Sequence, residues 1–126
     1  MELRLNAQSA FEGVTGTTRY LIELVGSPFV CELFARSEDA HDRERFLRRQ
    51  RVAIFGRVAF VASAEDIIVT KLRWIHDAGR TKDREDVRNV LAVRGSALDW
   101  NYLERWTVEH GTGPLLAEIR ASLPNS

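Results

Sequence analysis

The chain has 126 residues, 44% hydrophobic and 29% charged, enough for one domain around one core and too apolar for a disordered chain. Eighteen basic residues balance eighteen acidic ones, so no global field draws it to nucleic acid or to a membrane. The single cysteine, Cys31, excludes an intramolecular disulfide, and no stretch has the length of a membrane span or the apolar core of a signal peptide.

The first half reads as strands. Arg19–Val25 and Phe29–Phe34 are short runs rich in β-formers, joined by the turn residues Gly26-Ser27-Pro28, and together they predict a hairpin. Leu3–Leu5 can add a further strand. Cys31 is expected to be a small buried thiol. A polar helix follows over 38–50, and its arginines should pair at i, i+4 spacing with the acids of the same helix. Val52–Phe55 and Val58–Val61 then flank Gly56-Arg57, the pattern of a two-residue hairpin loop with glycine at its first central position.

The second half reads as helices. Ser63 is an N-cap, with Glu65 and Asp66 in the first turn where the helix dipole favours them. Ile68, Leu72 and Ile75 form its core stripe, and Gly79 its C-cap. Thr81 is expected to cap a second helix with the stripe Val87, Val90, Leu91, ended by Gly95. Asp99 caps a third, where Leu98 and Leu103 have the spacing of a hydrophobic staple. Pro114 opens a fourth, buried through Leu115, Leu116, Ile119 and Leu123. Strands first and helices later predict an α+β class, a small, mostly antiparallel sheet with a layer of about four helices, in one domain over 1–126.

The chemistry concentrates between Ser63 and Leu91. Only two lysines occur beside sixteen arginines, and both, Lys71 and Lys82, fall here. Asp83 and Asp86 are three apart and so lie toward one face of their helix. Asp83 is also four before Val87 and seven before Val90, which places it on the buried stripe. A buried aspartate needs a cationic partner. Two readings of this cluster stand side by side. Lys71, Arg80, Asp83 and Asp86 can be an ion-pair network locking two helices, or Lys71 and Lys82 can be phosphate contacts held by the aspartates. The histidines, His41, His76 and His110, have no zinc-ligand spacing. Trp74, Trp100 and Trp106 read as core or interface aromatics.

The segment Ser63-Ala64-Glu65-Asp66-Ile67-Ile68-Val69-Thr70-Lys71-Leu72-Arg73-Trp74 resembles a motif of the nucleotidyltransferases of the toxin-associated AbiEii kind. Gly79-Arg80-Thr81-Lys82-Asp83-Arg84-Glu85-Asp86-Val87 resembles their Arg-x-Lys-Asp-x-x-Asp motif, and Leu98–Trp106 the helix that follows; the likeness covers roughly 58–106. It implies that Lys71, Arg80, Lys82, Asp83 and Asp86 form a nucleotide-binding cluster in a pocket beside the sheet. Such enzymes hold Mg2+ and a nucleoside triphosphate on an Asp-x-Asp strand that follows a Gly-Ser turn and a helix. No Asp-x-Asp occurs in these residues, and Glu32 takes the place of the third acid. The resemblance therefore implies the fold without its first catalytic block, inactive by itself; the cytoplasm is the expected location because neither a signal peptide nor a membrane span is read. An uncovered sheet edge leads us to expect a homodimer. The alternative is a non-enzymatic interaction module with a protein partner, in a toxin–antitoxin type system; a nucleic-acid contact of the basic cluster Arg43, Arg45, Arg48, Arg49 and Arg51 is the weaker reading beside a solvated helix.

Overall fold

The computed structural model describes residues 3–5, 10–12, 17–28, 30–35, 37–54 and 56–124. Its elements, in chain order, are strands β1 (Leu3–Leu5), β2 (Ala10–Glu12), β3 (Thr17–Leu24) and β4 (Val30–Phe34), helix α1 (Ala40–Leu47), strands β5 (Gln50–Ile54) and β6 (Arg57–Val61), and helices α2 (Ala64–Ala78), α3 (Asp83–Arg94), α4 (Trp100–His110) and α5 (Gly113–Ala121). A single 3₁₀ turn, Gly95–Ala97, links α3 to α4. The class is α+β, with antiparallel sheets ahead of four consecutive helices. No helix among the described residues is long and apolar enough to cross a membrane.

The chain divides into two compact units, 1–44 and 45–126. In the first, β3 is the spine of a four-stranded sheet. It pairs antiparallel with β4 from Arg19↔Phe34 to Glu23↔Val30, with β1 near its end and with β2 near its start. The expected hairpin is thus present, and β2 is a strand that the sequence reading did not anticipate. The strand position expected at Phe29 lies outside the described residues. Cys31 is exposed and not buried; among the described residues β4 pairs with β3 alone, so it lies at an edge and its side chains are less covered.

The second unit opens with the end of α1. That helix stops at Leu47, three residues short of the expected end, because Gln50 is already paired with Val61 as the first residue of β5. Ile54 pairs with Arg57, so Arg57 belongs to β6 and not to the loop; the glycine of the connection, Gly56, has φ +74°. Val52 consequently faces Ala59 and not Val61. The slip is even in register, so the residues that share a face are unchanged. The Val52–Ala59 pair is the half-buried centre of the hairpin.

Helices α2 to α5 enclose the core. Ile68, Val69 and Leu72 of α2, Val87 and Leu91 of α3, Leu103 and Trp106 of α4, and Leu116 and Ile119 of α5 form one buried cluster. Each large aliphatic side chain buried there contributes about 1.5–3 kcal/mol. Ser63 caps α2 by accepting the Asp66 N–H at 3.1 Å, and Gly79 closes it at φ +68°. Asp99 caps α4 by accepting the Tyr102 N–H at 3.1 Å, and Leu98 and Leu103 both enter the cluster, as a staple requires. Thr81 does not cap α3: the N-cap is Lys82, with no side-chain bond. Tight backbone bonds from Asp83 N–H to Arg80 O and from Arg84 N–H to Thr81 O satisfy that end instead.

Candidate functional site

Lys71 stands in the middle of α2, three residues after the fully buried Ile68, and reaches across to the first turn of α3. Its Nζ donates to Asp83 Oδ1 at 3.2 Å and to Asp86 Oδ2 at 3.0 Å. The Asp83 side chain is 3% exposed, that of Lys71 17% and that of Asp86 54%. The cluster therefore runs from a buried carboxylate, through a half-covered ammonium, to an acid at the surface. Arg80 Nε lies 3.1 Å from Asp83 Oδ2, an ion pair whose geometry gives that oxygen no hydrogen bond. The buried Trp74 supplies the floor, with Arg80 Cζ 4.8 Å and Lys71 Nζ 5.5 Å from its ring centroid.

Burial works against the charge on Lys71. Its hydrogen bond to Asp86, and the attraction and hydrogen bond of Asp83, outweigh that penalty and raise its pKa above the ordinary lysine value. The ammonium is thus a fixed charge. Two cations face two carboxylates, so the cluster is neutral and each member is engaged. Asp83 and Asp86 turn an oxygen each to Lys71, where a divalent cation would have to sit. The residues present therefore do not fit a magnesium site, and no group of three or more His, Cys, Asp or Glu side chains among the described residues converges on a metal position.

Four of the five expected site residues, Lys71, Arg80, Asp83 and Asp86, are brought together. Lys82 is not: it is exposed at the start of α3 and makes no ion pair among the described residues. A shallow cleft of this unit is lined by Gln50, Ala64, Glu65, Arg94, Ala97, Leu98 and Asp99, and the cluster contributes nothing to it. Glu32 is exposed on β4, opposite Leu21, in the first unit. His76 Nδ1 lies 2.6 Å from Asp77 Oδ1, and both are at the surface, a polar pair at the end of α2.

A second charged centre escaped the sequence reading. Asp66, fully buried near the start of α2, accepts hydrogen bonds from Ser63 Oγ at 2.6 Å, from Arg48 Nε at 3.3 Å and from the Tyr102 hydroxyl. Arg48 also donates to Glu65 at 3.2 Å, and its guanidinium stacks 3.7 Å above the Tyr102 ring. Glu65 accepts the Asp99 N–H at 3.3 Å. Arg48, just past the end of α1, therefore reaches α2, as does Arg45, whose Nη1 donates to Thr70 Oγ1 at 3.3 Å. The motif residues Glu65 and Asp66 thus join α2 to α4. The one signal in the sequence was two acids in a first turn followed directly by an apolar stripe.

Comparisons with protein-family models, with curated proteins and with solved structures found no match to the chain.

Proposed function

We propose that the chain is a nucleotidyltransferase-like domain of the AbiEii kind that binds a nucleotide without transferring it. One observation carries this reading: Lys71 of α2 meets Asp83 and Asp86 of α3 within 3.2 Å, so residues 71, 83 and 86 of the two motif-like segments share one cluster. Opening the exposed Lys71–Asp86 arm would free donors of Nζ for a phosphate oxygen while Asp83 still holds the ammonium in place. Transfer is not part of the proposal, because the sequence holds no Asp-x-Asp and the two carboxylates are engaged by lysine. Any magnesium would arrive on the nucleotide. Isothermal calorimetry with nucleoside triphosphates, with and without Mg2+, tests this. Binding that Lys71→Ala abolishes supports it, and no heat at millimolar nucleotide rejects it.

The neutrality of the cluster favours a second reading. Here Lys71, Arg80, Asp83 and Asp86 serve only to lock α2 to α3, and the domain is a self-associating interaction module, linked to a toxin–antitoxin type system. Lys71→Ala would then lower the unfolding midpoint with no ligand lost, and light scattering of the parent chain would give the mass of a dimer. A monomer across all concentrations would reject self-association.

A further inference from the structure

The balance of charge over the whole chain conceals a local excess. Residues 45–62 contain five arginines, Arg45, Arg48, Arg49, Arg51 and Arg57, and no aspartate or glutamate. Arg45 and Arg48 are turned to α2. Arg49 and Arg51 are exposed and make no ion pair among the described residues; Arg57, also exposed, pairs with Ile54 and projects from the opposite face of the hairpin. Arg51 faces Phe60 across the β5–β6 ladder, so both project from one face of the hairpin. Phe60 is 56% exposed, and Phe46, at the end of α1, 42%. The Arg49 guanidinium bridges them, 4.2 Å from the Phe46 ring centroid and 5.1 Å from that of Phe60. Val58 and Ala53, the next pair on this face, are also exposed.

We infer that this face is a docking surface for single-stranded nucleic acid. A strand backbone carries a phosphate at every step, and planar guanidinium forks grip phosphates in two-point contacts. Unstacked bases settle on exposed aromatic and guanidinium planes with little regard to sequence. Arg51 and Phe60 of the ribbon, with Arg49 set between Phe46 and Phe60, provide both. A duplex fits less well, since Ala53, Val58 and Phe60 have no hydrogen-bonding groups to read base edges in a groove. An acidic protein segment would engage the arginines and leave the rings unused. The inference does not depend on nucleotide binding at Lys71.

Fluorescence anisotropy on the full chain, with a labelled thymidylate strand of about a dozen nucleotides at low salt, tests it. Saturable binding is expected, with log affinity falling against log salt by about 0.7 per phosphate neutralised. Arg49→Gln and Arg51→Gln should each reduce that slope by about 0.7. Phe60→Leu should weaken binding about tenfold with the slope intact, and Phe60→Trp should restore it. These positions are exposed, so the parent's circular dichroism and urea midpoint should persist in every variant. Absence of saturation would overturn the inference, as would the parent affinity in the double arginine variant. So would equal affinity for a duplex or for a glutamate-rich peptide, which would assign the face to charge alone or to an acidic protein.

Discussion

A carboxylate as deeply buried as Asp83 costs several kcal/mol unless a cation meets it, and Lys71 is the cation that does so by hydrogen bonding. Replacing Lys71 by methionine keeps most of the volume and removes the charge, so we expect a loss of about 1–3 kcal/mol at neutral pH. The pH dependence has a definite sign. The folded chain holds the Lys71 proton more tightly than the ordinary value of 10.5. The lysine's contribution is therefore complete below about pH 10.5 and is lost as pH rises through the folded value. The difference in urea midpoint between parent and Lys71→Met should narrow in that alkaline window; a constant difference would refute the assignment. This pair was legible in the sequence for a physical reason, since an aspartate at the a-priori buried position of a helix stripe demands a partner nearby. The Asp66 centre was not. Its partners Arg48 and Tyr102 lie 18 and 36 residues away, and no local periodicity encodes a contact made by the packing of α4 on α2.

Helix ends show where local chemistry suffices and where it does not. Ser63 and Asp99 were readable as caps because a short side chain ending in an oxygen, set just ahead of an apolar stripe, can reach back to the free N–H groups of the first turn. Thr81 has the same chemistry, yet the chain leaves Gly79 in a turn so tight, with Thr81 N–H on Gly79 O at 2.9 Å, that α3 starts two residues later. Ser63→Ala should therefore cost about 2 kcal/mol, since the cap and a hydrogen bond to buried Asp66 are lost together. Asp99→Ala should cost about 1 kcal/mol, and Thr81→Ala less than about 0.5 kcal/mol. Equal losses at Ser63 and Thr81 in chemical denaturation would contradict these cap assignments. The hairpin was half legible in the same way. Gly56 marked its turn, but a glycine at positive φ serves either central position, and the polar Gln50 and Arg51 hid the start of β5. A strand with exposed faces needs no apolar pattern to pair.

At the scale of the molecule, the core cluster draws every member from residues 68–119, all within the unit 45–126. Those helices, joined by the Lys71–Asp83 and Asp66–Tyr102 contacts, hold their own apolar interior and their own buried charges with partners. Eighty or so residues suffice for independent folding when one core is closed. A chain beginning at Ser37 keeps α1 whole, with the Asp42 N–H on Asp39 Oδ2 at 3.0 Å and the Ser37 N–H on Asp42 Oδ2 at 2.6 Å. We expect this shortened chain to unfold in one cooperative transition and to retain the alkaline signature of Lys71, because every group that sets that signature travels with it. Its urea slope should scale with its length, since that slope follows the surface exposed on unfolding. A broad, non-cooperative melt would mean that residues 1–36 are needed to close the interior of the second unit. Cooperative unfolding without the Lys71 effect would mean that the α2–α3 ion pair is set from outside it.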